Sequence, residues 1–591
     1  MMDIPRFGSV DNIRYGLSPT LDAWLAHFMT ENRIEHLMDP GLNASPEQLR
    51  FMVALDKEGV YIPCSDGTLS LLLAPEMSRA LLNQYLHRWR LMVELVRLQA
   101  PDRYLFRRIL NLCRHKFRLY MHSHVLIPSR LMKRLNTIIM TQSGLDDLCR
   151  DSKRLLNRRA RDLIQDGAFQ AAINARPGRV IESMSIPDAR FELSWLELSR
   201  LLVLSTLPDA WRTDEAVNAS ADKVVLNGLD RETSAQAEVM APLRKRLAEA
   251  PAGGLTILIL PSRSGGLLFD LLAAKALIRM GHRVVVALKA GFYFYSPAIW
   301  DMEDDPLIAA ALADARVLSS PSATKNELLK DLKENPFLVI SDGTRERLNL
   351  HRTSVSFARA WKEADIVIAK GEPNANRLVR TSYSFTRDVV CLYRNASGAF
   401  RLHFRPKPEW VRKFSEKDLT AKALDIIQDM RGAKAQRRKV MFYSAIIGSV
   451  PGQVDTAIKV VNTFVKYLRS RMEDVYIINP AEHFEKGMDA DDLMYMWERV
   501  QRSGLIDVWR FQSVEDIEKS FELMLKKVPP AWAGKDATYS TGCTKEMNTA
   551  LDMQRRQPEL QIIGPDPERF FRRREYGVGK YCDVAFEECP N

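Results

Sequence analysis

The spacing of apolar and polar positions changes character along the chain. Up to about residue 250, apolar residues recur at helical spacing with arginines between them, as in MSRALLNQYLHRWRLMVELVRLQA (77–100) and in 129–140. The stretch 61–73 carries turn chemistry and reads as a hairpin. GLDD (144–147) opens a further helix, with acids where the helix dipole favours them. The polar stretch 216–250 reads as a connector with one helix. From residue 255 the pattern becomes short apolar runs separated by helical segments. Strands are expected at 256–260, 283–288, 336–340, 365–369 and 388–392. A helix at 267–280 places Leu267, Leu268, Leu271, Leu272 and Ile278 on one face and ends at Gly281.

Residues 411–439 read as a polar linker with one helix, 421–430. A second run then predicts strands at 440–443, 475–478 and 507–511, and helices at 454–468, 490–502 and 514–525. From 528 the chain is turn-rich and reads as a tail returning over the body. The expected class is α/β. A helical domain and connector (1–250) precede a central, mostly parallel sheet flanked by helices (251–410). The linker leads to a smaller C-terminal α/β domain and tail (440–591).

Composition places the chain among globular proteins, with 46% hydrophobic and 27% charged residues. No apolar run approaches the roughly 20 residues needed to span a bilayer, and no membrane association is expected. The N-terminus lacks the pattern of a signal peptide. Seven scattered cysteines without CxxC spacing read as reduced thiols, so a cytoplasmic protein is expected. The net charge of +11 is localised: 101–161 holds 15 Lys or Arg against 4 Asp or Glu. This basic segment is a solvated surface or a binding face for a protein partner, with nucleic acid the less favoured occupant.

The candidate chemistry lies at the ends of the expected strands. The loop Ser262-Arg263-Ser264-Gly265-Gly266 joins a strand to a helix, where open α/β sheets bind ligands. WKEADIVIAKGEPNANRL (361–378) brings Lys370, Gly371, Glu372 and Asn374 to a second strand end. An ammonium, a flexible backbone and an amide there suit a phosphate. Asp301, Glu303, Asp304 and Asp305 form an acidic cluster, read first as a helix N-terminus. His122-Ser123-His124 reads as surface histidines. Gly448-Ser449-Val450-Pro451-Gly452-Gln453 reads as a plain β–α connection without the ending of a P-loop.

Four pieces in order resemble the damage-control phosphatase family, a metal-dependent family that includes proteins called acidic-residue methyltransferases. ADIVIAKGEPNANRL looks like its Lys-Gly-Asp/Gln-x-Asn motif. GLDDLCRDSKRLLNRRARDL resembles its helical signature at Asp147, Lys153 and Asn157. ILILPSRSGGLLFDLLAAKALIRMGHRVVVALKAG resembles its central strand–turn–helix–strand, with Phe269-Asp270 and Lys289. VISDGTRERLNL followed by SFARAWKEAD fits the segment before the Lys-Gly motif. The resemblance covers roughly 80–405. It implies a metal held by an Asp-Asn pair on the first-strand loop and a later Asp. Here Ser262-Arg263 stand at the pair, Gly266 replaces a Glu, and Ser296 or Pro297 stands at the third Asp. Hard cations want oxygen ligands, and an arginine repels them.

Three functions follow as expectations. The first is a pseudoenzyme that binds a phosphorylated metabolite with weak or no hydrolysis, as a sensor or assembly subunit. Lys370, Asn374, Arg377, Ser262 and Arg263 would hold the phosphate. Glu372 stands where the family has an acid near the reacting centre, and no cofactor is expected. The second is an active metal-dependent phosphomonoester hydrolase on sugar phosphates or related phosphometabolites. Its divalent metal (Mn, Co, Ni or Mg) would be held by displaced ligands, Asp301, Asp304 or Asp342. The third is a nucleic-acid or acidic-partner binder acting through 101–161, and the C-terminal domain is a further candidate partner surface.

Overall fold

The computed structural model describes residues 7–34, 49–55, 60–99, 102–123, 125–175, 184–211, 226–395, 397–450, 453–485 and 487–575. The chain is mixed α/β and falls into two compact units, with the boundary between Glu409 and Trp410.

The first unit is built on a seven-stranded sheet. Its strands are β1 (Thr256–Leu260), β2 (Arg283–Leu288), β3 (Arg316–Leu318), β4 (Phe337–Ser341), β5 (Ile366–Lys370), β6 (Asp388–Arg394) and β7 (Phe400–Arg405). The order is β3-β4-β2-β1-β5-β6-β7, parallel except for β7, which pairs antiparallel with β6. Every residue of β1 and β5 is buried, as continuous apolar strands covered on both faces should be. From β1 the chain builds outward through β2, then returns across β1 to start β5. The order therefore reverses between β1 and β5. That reversal opens a crevice at their carboxyl ends.

Helices cover both faces. One core cluster joins Ile257, Ile259 and Val286 to Leu271 and Leu277 of the helix Gly266–Arg279. It continues to Leu198, Leu201 and Leu202 of the helix Ile186–Leu204. The helix Gly266–Arg279 is thus packed between sheet and helix. Phe269, Ala273, Ala274 and Leu277 are buried as well as the expected stripe, while Leu272 and Ile278 are only partly buried. The opposite face packs Leu258, Val285 and Leu338 against Phe357, Trp361 and Leu332. The N-terminal helices Arg79–Gln99, Arg103–Ser123 and Pro128–Ser143 share a third cluster, which reaches Phe292 in the segment after β2. The helical and α/β regions therefore form one unit.

Several local expectations are corrected. Within 61–73 the chain forms a helix, Asp66–Leu73, whose Ser65 side chain accepts from Thr68 N–H at 3.2 Å. The turn chemistry read there as a hairpin is an N-cap. Of the stretch 216–250, residues 216–225 lie outside the described residues, and the rest forms two helices, Leu229–Ala235 and Ala237–Ala248. The helix after GLDD begins at Arg150, and Asp147 instead accepts from Cys149 N–H at 2.8 Å. Residues 411–439 hold a 20-residue helix, Glu416–Ala435, begun by a capping box between Ser415 and Asp418.

The second unit carries a parallel sheet of β8 (Lys439–Ser444), β9 (Val475–Ile478), β10 (Val508–Phe511) and β11 (Gln561–Ile563), in the order β9-β8-β10-β11. The segment after 528, expected as a returning tail, supplies the helix Thr541–Arg556 and the strand β11. Three residues are too few for a strand's alternation to register in sequence. Among the described residues no helix is long and apolar enough to cross a membrane.

Candidate functional site

The loops after β1 and β5 meet at the crevice because two glycines let them. Gly371 has φ +85°, and a Cβ there would lie 2.7 Å from Ser262 Cβ. Gly265 has φ +81°, and a Cβ there would lie 2.9 Å from the Leu156 carbonyl oxygen. Both positions need a residue without a side chain. The loop 262–266 is also fixed from the helix Arg150–Gln165. Asn157 accepts from Gly265 N–H at 2.6 Å and donates to Asp305 at 2.8 Å. One turn earlier Lys153 is buried between Asp147 (2.7 Å) and Asp301 (2.6 Å). Asp147, Lys153 and Asn157 thus hold the loops in place from behind.

At the carboxyl ends of β1, β2, β4 and β5 lies a narrow cavity of about 30 Å³, space for about two water molecules. Ser262, Lys289, Ser296, Pro297, Asp342, Arg347, Lys370 and Asn374 line it, with Leu260, Phe357 and Pro373. Two lysines here are matched by carboxylates. Lys289 pairs with Asp342 at 2.5 Å and donates to Thr344 at 3.0 Å. Lys370, 1% exposed, pairs with Asp270 at 3.0 Å and donates to Ser205. Burial pushes the Asp270 carboxyl up to about 6 against the pull of Lys370. Asp209 accepts from Ser262 at 2.8 Å, and burial raises its carboxyl; its Oδ2 is buried without a partner.

The arginines around the cavity are not matched in this way. Arg263 lies over Tyr295 at 4.7 Å, and its Nε is buried without a hydrogen-bond partner. Burial lowers its affinity for a proton, and Asp209 opposes that. Arg347 lies over the Tyr293 ring at 5.4 Å and makes no hydrogen bond or ion pair among the described residues. Its neighbour Glu346 is taken by Arg130 at 2.9 Å. Arg377 is 6% exposed and, among the described residues, donates only to the neutral Pro373 carbonyl (2.7 Å) and Ser129 (2.8 Å).

Of the residues expected from sequence, Ser262, Lys370, Asn374 and Asp342 line the cavity, and Arg263 and Arg377 are not part of its lining. Asn374 turns its amide to the Lys370 carbonyl at 2.9 Å. Glu372 is not brought in: its carboxylate is on the surface, paired with Arg380 at 2.9 Å. Asp301, Asp304 and Asp342 are held apart by separate cations, Lys153, Arg150 (3.3 Å) and Lys289. Ser262 and Ser296, where the resemblance puts metal ligands, do meet, with Ser296 donating to the Ser262 carbonyl at 3.3 Å. Among the described residues no group of three or more His, Cys, Asp or Glu is arranged for a metal ion. A serine loop carrying a guanidinium does not fit a divalent cation.

Ser205, Asp209, Arg88 and Arg347 were not singled out from sequence. Of these four, only Arg347 carries a usable signal, since it follows β4, which ends at Ser341. His122 is exposed on the last turn of Arg103–Ser123, while His124 lies outside the described residues, as do Pro451 and Gly452 of the C-terminal loop. The helix Arg103–Ser123 carries Arg103, Arg107, Arg108, Arg114, Lys116 and Arg118, all exposed, with no acid in it.

No protein-family model and no curated protein matches the chain. Among solved structures, the crystal structure of a DUF89 family protein from Pyrococcus horikoshii is similar over 53% of this chain and 90% of that one. The two are 17% identical, with a TM-score of 0.36.

Proposed function

We propose that this chain binds a phosphorylated small molecule at the crevice between β1 and β5, with weak or no hydrolysis, and serves as a sensor or assembly subunit. The observation that carries the reading is the surplus of cationic donors there. Among the described residues Lys289 pairs with Asp342, Lys370 with Asp270, and Asp209 opposes Arg263 from nearby, which leaves Arg347 without an ion pair. A phosphate ester carries up to two negative charges near neutral pH and accepts several charge-assisted hydrogen bonds. Ser262 and Asn374 add neutral polar groups at the rim. A ligand enters as the Arg347 guanidinium, which lines the cavity and lies over the Tyr293 ring, swings from that ring onto the phosphate. The match to the damage-control phosphatase pattern at Lys370, Gly371 and Asn374 supports phosphate as the anion. Metal-assisted hydrolysis is left out, because Arg263 stands where the pattern has a ligand.

The test is thermal unfolding of the full chain with inorganic phosphate and a panel of sugar phosphates, with and without Mn²⁺, alongside phosphate-release assays. A ligand at one hundred times its Kd adds about 2.7 kcal/mol of stability. Protection without turnover, lost in Arg347→Gln, is the expected outcome. Stoichiometric metal together with turnover that disappears in Lys370→Ala would sink the proposal.

A further inference from the structure

Behind Arg347 the charge imbalance deepens. Arg347 acts electrostatically on Arg88, on the helix Arg79–Gln99, and on Arg377, on the helix Glu372–Leu378, and Arg377 acts on Arg88 as well. The Nε atoms of Arg88 and Arg377 are buried without hydrogen-bond partners. Arg88 makes no hydrogen bond or ion pair among the described residues. The chief neutral company is the Tyr293 ring, whose face attracts a cation only weakly. Three guanidinium groups from three separate elements thus converge with no ion pair among them. Burial and mutual repulsion push both Arg88 and Arg377 below the usual arginine range. Buried charge is normally paired. Here the lysines of the adjoining cavity have their carboxylates and the arginines do not.

We infer that Arg88, Arg347 and Arg377 form a second anion subsite beside the Lys289–Lys370 cavity, so the ligand carries two anionic groups, as a diphosphate or bisphosphate does. The inference rests on the phosphate-binding reading above and narrows its substrate class. Arg347 is the shared element, since it lines the first cavity and faces Arg88 and Arg377. A planar guanidinium presents its donors as a fork that matches phosphate oxygens, which a lysine ammonium does not. A single phosphate would satisfy the first cavity and leave Arg88 unmatched.

Isothermal titration of the full chain with inorganic phosphate and with pyrophosphate, at equal ionic strength, separates the possibilities. Pyrophosphate is expected to bind about tenfold or more tightly than phosphate, since it gains a second set of charge-assisted bonds. Arg88→Gln should bring pyrophosphate down to the affinity of phosphate, and Arg88→Lys should restore part of the preference. Because Arg88→Gln removes an unmatched, half-buried cation, its melting temperature without ligand should not fall; a fall would mark a structural role and overturn the inference. Equal affinities in the unaltered chain, or a preference that survives Arg88→Gln, would also overturn it while leaving the phosphate site intact. Failure of both anions to bind would overturn the phosphate reading itself.

Discussion

The two parallel sheets of this chain reverse their strand order in the same way, yet the crevices that result are filled differently. In the first unit the reversal between β1 and β5 is lined by full charges: Lys289 with Asp342, Lys370 with Asp270, and arginines left over. In the second unit the reversal falls between β8 and β10; Arg510 there is matched by the buried Asp516 at 2.6 Å, and the neighbouring polar groups bond one another. Ser444 accepts from Trp509 Nε1 at 2.8 Å, and Gln512 accepts from Ile446 N–H at 3.0 Å. A second carboxyl group there, Glu546, accepts from the Gln501 amide at 3.0 Å. Burial pushes it up to about 7, so near neutrality much of it is protonated. Topology supplies a crevice in both units, and side-chain charge decides what it can hold. A matched network closes on itself, whereas guanidinium groups without an ion pair leave donors over.

The contrast can be broken most forcefully at Lys370. Asp270→Asn would leave its ammonium buried at 1% exposure beside Ser205 without a countercharge. A loss of about 3–5 kcal/mol in urea unfolding is expected. Replacing both partners, as Asp270→Leu with Lys370→Met, should cost far less. Equal costs for the single and double changes would show that the pair is not what the crevice depends on.

A smaller effect distinguishes the second unit by its pH response. The folded Glu546 carboxyl titrates above its unfolded value, so its contribution to stability is complete below about pH 4.5 and lost as pH rises through about 7. Glu546→Gln keeps the shape and removes the titration. Relative to the unaltered chain it should therefore gain stability between pH 5 and pH 8.5, by up to ~3 kcal/mol. A difference that stays flat across that range would mean the carboxyl is not held neutral by burial.

The smallest effect tests the geometry of the first crevice. Gly371→Ala places a Cβ 2.7 Å from Ser262 at φ +85°. A loss of about 1–3 kcal/mol in thermal unfolding is expected, with weakened phosphate protection. Unchanged stability would show that the two loops are not pressed together as described.

How much of this was readable in the sequence differs by element. Strands 256–260, 283–288 and 475–478 coincide with the observed ones, because short runs of apolar and β-branched residues advertise themselves. β7 was missed although FRLHFR alternates buried and outward positions through its first four residues. Its alternation was there to be read. β3 and β11, at three residues each, carry no period to detect. At the crevice, Ser262, Lys370 and Asn374 were visible because they lie at or just beyond strand ends. Glu372 shares that position, but it starts the next helix and its carboxylate turns outward to Arg380.

The sequence by itself determined the alternation of strand and helix, the glycines that let two loops approach, and the surplus of positive charge. Those are properties of neighbouring residues, set by backbone sterics and hydrophobic period. The tertiary structure alone decided which charges meet. Lys370 finds Asp270 and Ser205 at separations of 100 and 165 residues, and Arg88 comes under the charge of Arg347 from a helix that local pattern marks only as amphipathic. Electrostatic pairing depends on distance through space, which no window of sequence records.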